Sequence, residues 1–339
     1  MIIKMKKDST KQQYDNVVSF LESKGLEIKD VSSDQVTIFG IIGDTTQIEP
    51  FDLYAFEGVG DVTRVSTPFK KASRSFHPED TILALPHDIK IGGNHFTMMA
   101  GPCSVESEEQ LRTIAGAISK TGTKILRGGA YKPRTSPYSF QGMGLEGLKL
   151  LRKIGDEFGM LVVSEMMSPD VLSEFNQYVD IIQIGARNMQ NFDLLKALGK
   201  TNKPILLKRG LSSTIEEWLM SAEYIMASGN DRVILCERGI RTFEKYTRNT
   251  LDISAVLAVK ELSHLPVIVD PSHAAGRWEM IEDLSLAALA VGSHGLIVEV
   301  HHDPEHAFSD GAQSLKPKKY AHMMNKLEQI AKVMGKKVA

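Results

Sequence analysis

The chain has 339 residues, 42% of them hydrophobic and 24% charged, and a formal net charge of -2. This length suits a barrel of about 250 residues plus a small appendage, and the composition excludes a disordered or fibrous chain. A nearly neutral molecule has no general basic field for nucleic acid, so any anion it binds is met by a local cluster. Cys103 and Cys236 are the only cysteines, far apart and without CxxC spacing. They argue against a disulfide scaffold or a zinc ribbon and fit a reducing cytoplasm. The opening MIIKMKKDSTKQQ lacks the apolar stretch of a signal peptide, and no run approaches the length needed to cross a bilayer. No membrane step is expected.

The first unit, residues 1 to 66, reads strand, helix, strand, strand, helix, strand, with strands near 2 to 5, 27 to 31, 35 to 42 and 61 to 66. Tyr14, Val17, Val18 and Leu21 recur at helical spacing; Asp8 or Ser9 can cap that helix and Gly25 can end it. A weaker helix near 47 to 56 has Pro50 in its first turn. The pattern is that of a split βαβ, ferredoxin-like α+β domain. Residues 67 to 95 form a linker and a hairpin around Ile89 to Phe96 that turns at Gly92-Gly93-Asn94. From residue 96 to 339 a βα rhythm repeats eight times, with strands FTMMAG, KILRGG, LVVSE, DIIQIG, PILLKRG, RVILCERG, PVIVDPSH and GLIVEVHH. Eight such units point to an α/β fold closed as a (β/α)₈ TIM barrel. No GxGxxG follows the first strand, which weakens a dinucleotide-binding reading.

Catalytic residues of such a barrel lie at the C-terminal ends of its strands. Those ends carry Cys103, Arg127, Glu165, Arg187, Lys208, Arg238, Asp270 with His273, and Glu299. Buried charges of this density need partners, a metal or an anionic ligand. Any one of Arg127, Lys132, Arg187, Lys208 and Arg238 is most simply a salt bridge, but five around one mouth suit a small molecule bearing phosphate and carboxylate, such as phosphoenolpyruvate. Cys103, His273, Glu299 and Asp310 come from strands that adjoin in a closed barrel and suit one divalent ion, with manganese, iron, cobalt and zinc all compatible. His294, His301, His302 and His306 are competing ligands, of which His301 or His302 is the better placed.

The motifs AGPCSVES, LRGGAYKPRTSPYSFQG, SEMMSP, IGARNMQN, LLKRG, CERGIRTFE, DPSHAAG and EVHHDPEHAFSDGAQSL resemble the 3-deoxyheptulosonate 7-phosphate synthases. The branch concerned is the one related to the 3-deoxy-D-manno-octulosonate 8-phosphate synthases, and the N-terminal unit resembles the regulatory domain of some members. The resemblance implies a metal held by Cys103, His273, Glu299 and Asp310, and phosphoenolpyruvate held by Arg127, Lys132, Arg187, Lys208 and Arg238. It implies erythrose 4-phosphate held by Lys132, Arg134 and Thr135, with Asp270 near the sugar. Lys132, His273 and Cys103 are the catalytic candidates; Lys132 is the first choice for proton transfer, with His273 or a metal-bound water as rivals. Val36, Ile38, Ile41 and Ile42 are expected on an exposed sheet face of the N-terminal unit that joins two such units or buries a hydrophobic ligand; the resemblance makes that ligand an aromatic amino-acid effector, and a homotetramer is expected. Three rivals stand beside this reading: an octulosonate synthase using arabinose 5-phosphate, a Schiff-base aldolase built on Lys208, and a non-catalytic amino-acid sensor.

Overall fold

The computed structural model describes residues 1–338 apart from 33–35, 44, 46–47, 65–67, 133–135 and 137. Contacts divide the chain into two compact units, one of residues 1–79 with 262–264 and one of residues 80–261 with 265–339.

In the first unit, β1 (Ile2–Met5), β2 (Glu27–Asp30), β3 (Ile38–Ile42) and β4 (Val59–Thr63) form an antiparallel sheet in the order β2-β3-β1-β4, with α1 (Lys11–Ser23) and α2 (Pro50–Tyr54) as its helices. This is the expected ferredoxin-like order. Thr10, rather than Asp8 or Ser9, caps α1, because its hydroxyl accepts from the Gln13 amide while the Gln13 side chain accepts from the Thr10 amide. Gly25 follows the helix at φ +74°, and Pro50 occupies the first turn of α2, where no amide hydrogen bond is lost. Val17, Leu21, Phe39, Ile41 and Leu53 are wholly buried in one core. The twofold side-chain period then directs Ile38, Gly40 and Ile42 to the opposite face. There Phe76 lies so close that a Cβ on Gly40 would stand 1.8 Å from its ring. Residues 68–79 are therefore packed rather than loose, with Phe69, Ala72 and Phe76 buried.

The second unit opens with an antiparallel pair, β5 (Leu83–Ala84) and β6 (Lys90–Ile91), joined through His87 and Asp88 at φ 60° and 57°. A second turn follows at the expected Gly92-Gly93-Asn94, where Gly92 and His95 form an antiparallel bridge and the His95 N–H donates to the Gly92 carbonyl. Pro86 and two residues able to hold a left-handed backbone make the earlier turn.

Eight parallel strands follow: β7 (His95–Gly101), β8 (Ile125–Arg127), β9 (Leu161–Glu165), β10 (Ile181–Ile184), β11 (Ile205–Lys208), β12 (Val233–Glu237), β13 (Val267–Val269) and β14 (Gly295–Glu299). Pairing of β14 with β7, from Gly295↔Thr97 to Glu299↔Gly101, closes the barrel. The helices around it are α3 (Glu108–Ser119), α4 (Gly144–Glu157), α5 (Leu172–Tyr178), α6 (Phe192–Leu198), α7 (Ile215–Ala227), α8 (Ser254–Leu262), α9 (Pro271–Ala275), α10 (Ile281–Ala290) and α11 (Pro317–Val333). A last short strand, β15 (Lys337–Val338), adds to β7.

Met99, Ile125, Val163, Ile181, Leu206, Ile234, Cys236, Ile268 and Ile297 share one buried core with Leu83, Leu85, Ile89 and Ile91 of the hairpin. Two residues further along their strands, Ile125, Val163, Leu206, Cys236, Ile268 and Ile297 give way to Arg127, Glu165, Lys208, Arg238, Asp270 and Glu299. The same alternation that packs the lower layers therefore turns charge into the mouth.

At the far end, Val267 N–H donates to His294 Nδ1 at 3.0 Å, so that nitrogen is held unprotonated. Burial, with Lys336 and Lys260 nearby, lowers this imidazole to about 3. The unfolded chain takes up this proton near pH 6.5 and the folded chain does not, so stability contributed above pH 6.5 is lost as pH falls towards 3. We predict that His294→Asn, which keeps an acceptor but cannot titrate, loses about 2 kcal/mol less stability than the parent between pH 7.5 and 5 in urea unfolding. Equal losses would contradict the assignment.

Candidate active site

Three strand ends, those of β7, β13 and β14, and the loop after β14 bring one group of side chains together. Cys103 Sγ lies 3.4 Å from Asp310 Oδ2 and 3.3 Å from Ser309 Oγ. One ligand atom from each of Cys103, Glu299 and Asp310 falls within 4.8 Å of the others. Asp310 reaches this position from a left-handed backbone, φ 53°. His273 Nε2 stands 3.5 Å from Glu299 Oε1, beside the group but outside that mutual distance. His301 does not join it: its Nε2 is 3.0 Å from Gln110 Nε2 and 3.5 Å from Glu106. His302 stacks on His301, and His306 pairs with Asp303 at the surface.

Burial and charge set the state of each group. Burial, with Glu299 adjacent, pushes the Cys103 thiol up to about 12 although Lys132 and Arg127 oppose it. The thiol therefore keeps its proton until a cation displaces it. Burial also acts to raise Glu299, but His273, Arg127 and Lys132 outweigh it and hold the carboxyl at about 2. Burial lowers the His273 imidazole below its ordinary value despite Asp270, so it is neutral and available as a ligand at neutral pH. Its Nδ1 approaches Asp270 Oδ2 to 2.7 Å without the alignment of a hydrogen bond. Asp270 is held far below the usual carboxylate range because His273 and Lys208 override burial.

Beside this group opens a cavity of about 190 Å³, lined by Lys132, Arg187, Lys208, Arg238, Arg241 and Arg248 against only two carboxylates, Glu165 and Asp310, among the described residues. Arg187 and Arg241 are exposed there. Arg238 is 5% exposed, and its NH1 is buried without a hydrogen-bond partner among the described residues. A guanidinium nitrogen left so leaves a desolvation cost that an anionic ligand would offset. Gly185 makes room for Glu165, since a Cβ there would lie 2.0 Å from its Oε1, and Gln183 donates to the other oxygen at 3.2 Å.

Of the expected cations, Lys132, Arg187, Lys208 and Arg238 line the cavity. Arg127 is placed differently: it is 5% exposed and donates to Glu299 Oε1 at 2.6 Å, beneath the mouth. Lys132 Nζ donates to the Cys103 carbonyl at 3.0 Å and lies 3.0 Å from its sulfur. Lys208 Nζ donates to Asp270 Oδ2 at 2.5 Å, and an ammonium so paired is a poor Schiff-base nucleophile. Asp270 itself is 1% exposed and faces this lysine rather than the open cavity. Arg134 and Thr135 lie outside the described residues. Arg241 and Arg248 were not anticipated; both sit in the irregular stretch between β12 and α8, where no strand period marks them.

Residues 71–335 match the DAHP synthetase I family, and residues 1–67 match the DAHP synthase ferredoxin-like domain. The chain belongs to the DAHP synthetase I family. As a member it is an enzyme, a transferase that forms carbon–carbon bonds. It is 52% identical over 338 residues to the phospho-2-dehydro-3-deoxyheptonate aldolase of Thermotoga maritima, with 100% of both chains covered. A crystal structure of that name from Thermotoga maritima superposes with a TM-score of 0.79 over 100% of this chain and 99% of the other, at 52% identity. A truncated 3-deoxy-D-arabino-heptulosonate 7-phosphate synthase from the same organism gives 0.75 at 54% identity, covering 80% of this chain and 99% of that one. The 2-dehydro-3-deoxyphosphooctonate aldolase of Geobacter sulfurreducens is 33% identical over 266 residues, covering 71% of this chain and 95% of that protein. Among the described residues, no helix is long and apolar enough to cross a membrane.

The family mouth thus holds two kinds of cation, and stability separates them. Lys208→Met strands Asp270 in the interior and is predicted to cost about 3–5 kcal/mol in urea unfolding of the metal-free chain. Arg187→Ala, which breaks no pair among the described residues, should change stability by about 0.5 kcal/mol or less. Similar costs for both would refute this division.

Proposed function

We propose that the chain condenses phosphoenolpyruvate with D-erythrose 4-phosphate and water to give 3-deoxy-D-arabino-heptulosonate 7-phosphate and phosphate, the first step of the shikimate pathway, using one divalent metal ion per subunit. The observation that carries this reading is the unpartnered, buried Arg238 nitrogen in a cavity of six cations directly beside Cys103, Glu299 and Asp310. The names of the full-length relatives support it.

The donor set fits such an ion: a thiol, two carboxylates and, adjoining them, a neutral imidazole suit manganese, iron, cobalt or zinc. Held by Cys103, His273, Glu299 and Asp310, such an ion would supply Lewis-acid polarisation of the aldehyde oxygen. The protein's own residues do the rest. Arg187, Lys208 and Arg238 hold the phosphate and carboxylate of phosphoenolpyruvate, orienting its enol carbon and stabilising the departing phosphate. Lys132 Nζ, fixed by the Cys103 carbonyl, is the group placed to move a proton between the two substrates. Arg134 and Thr135 take the aldose phosphate. Arg127 helps to keep Glu299 ionised and is the fifth cation of the phosphoenolpyruvate set.

Phosphate release from phosphoenolpyruvate should require erythrose 4-phosphate, stop with chelator and return with added Mn²⁺; Cys103→Ala should abolish it with the fold retained. Equal turnover of arabinose 5-phosphate would favour the octulosonate reading, and full activity in metal-stripped enzyme would remove the metal from it.

The same proposal gives the N-terminal unit a regulatory role, with an aromatic amino acid, tyrosine or phenylalanine, as effector of a cytoplasmic homotetramer. Ile41 does not contribute a free surface, since it is wholly buried in the domain core; the half-buried Val36, Ile38 and Ile42 remain as the apolar candidates. A chain beginning at Pro68 should keep catalysis and lose inhibition by these amino acids. Identical inhibition curves for full and shortened chains would contradict the role.

A further inference from the structure

Glu299 is 1% exposed, and both its oxygens are engaged: Arg127 holds Oε1, and Gln313 Nε2 donates to Oε2 at 2.8 Å. Gln313 is itself 2% exposed. Its own Oε1 accepts from Arg248 NH1 at 2.7 Å, and the same nitrogen lies 3.3 Å from Asp310 Oδ1. These two neighbours fix which way the amide points, because only the nitrogen can donate to a carboxylate and only the oxygen can accept from a guanidinium. Arg248 is anchored in turn, its N–H bonded to the Ala275 carbonyl, while Asn249 Nδ2 donates to the carbonyl of His273. Gln313 reaches this place through the turn Gly311–Gln313, whose residues directly follow Asp310 and whose closing amide bonds the Asp310 carbonyl.

We infer that Gln313 is a positioning residue of the metal centre: it fixes the Glu299 carboxylate towards Cys103 and Asp310 and ties that carboxylate to Arg248 on the wall of the anion cavity. The inference rests on the metal reading proposed above. A neutral amide suits the task, since it satisfies a buried carboxylate oxygen without adding a charge that competes with the ion. It also makes the ligand geometry depend on a residue that touches neither substrate nor metal.

The test is Mn²⁺ affinity of the metal-stripped full-length chain, read from free Mn²⁺ by electron paramagnetic resonance, for the parent, Gln313→Met, Gln313→Asn and Cys103→Ala. Gln313→Met keeps the volume and removes both hydrogen bonds; it should weaken Mn²⁺ binding by about 10- to 100-fold. Asn, too short to reach both neighbours, should weaken it too, which keeps the test valid if the Met variant does not fold. The Michaelis constant for phosphoenolpyruvate should change less than kcat at subsaturating metal, a split that general loosening of the fold would not produce. Parent-like Mn²⁺ affinity in either folded Gln313 variant, with Cys103→Ala defective, overturns the positioning role and leaves the metal site standing. Parent-like affinity in Cys103→Ala overturns the metal site itself.

Discussion

The mouth of this barrel is organised around one constraint, the presence of an ionised carboxylate, Glu299, in a place almost without solvent. An isolated charge there would cost far more than a domain's net stability. It is tolerated because Arg127, Gln313 and the nearby His273 surround it. Once those groups are committed to Glu299, much else follows. Arg127 is removed from the cavity wall, Gln313 must be neutral, and the loop after β14 must return so that Asp310 and Gln313 both arrive from one turn.

A second buried pair, Lys208 with Asp270, does the corresponding work on the opposite side of His273. Arg209 with Glu237 forms a third such pair, and among the described residues the three leave one buried charge over, Arg238. Arg238 keeps a buried nitrogen without a partner, while Arg187 and Arg241 are exposed into the same space. The surplus positive charge is therefore a property of the cavity and not of the barrel as a whole, whose chain is close to neutral. Such a local surplus next to a thiol and two carboxylates suits an anion beside a cation, the combination that the proposed joining of a phosphorylated enol to a polarised aldehyde requires.

Much of this was legible in the sequence because a strand has a period of two. Reading inward from Ile297 to Glu299, or from Ile268 to Asp270, needs only that alternation and the closure of eight βα units. What the period could not supply was the partner of each charge. Arg127 is expected on phosphoenolpyruvate, and the period shows its inward direction but not its bond to Glu299. Ile41 was assigned to an exposed sheet face, yet it shares parity with Phe39 and faces the helices. Arg241 and Arg248 come from a loop with no period to read. Gln313 carries no charge to attract notice, and its role emerges only from two distances. The aldose motif at Arg134 and Thr135 stays a matter of resemblance, as those residues lie outside the described ones.

In the proposed function the Cys103, Glu299 and Asp310 group holds a metal and the adjoining cations hold phosphoenolpyruvate. Anomalous diffraction from crystals of the full chain loaded with Mn²⁺ and phosphoenolpyruvate tests it directly. The expected result is a single strong anomalous peak per subunit at about 2.0–2.5 Å from ligand atoms of Cys103, His273, Glu299 and Asp310, with the phosphate against Arg187 and Arg238. A metal peak away from these residues, or phosphoenolpyruvate bound outside the cavity, would contradict it.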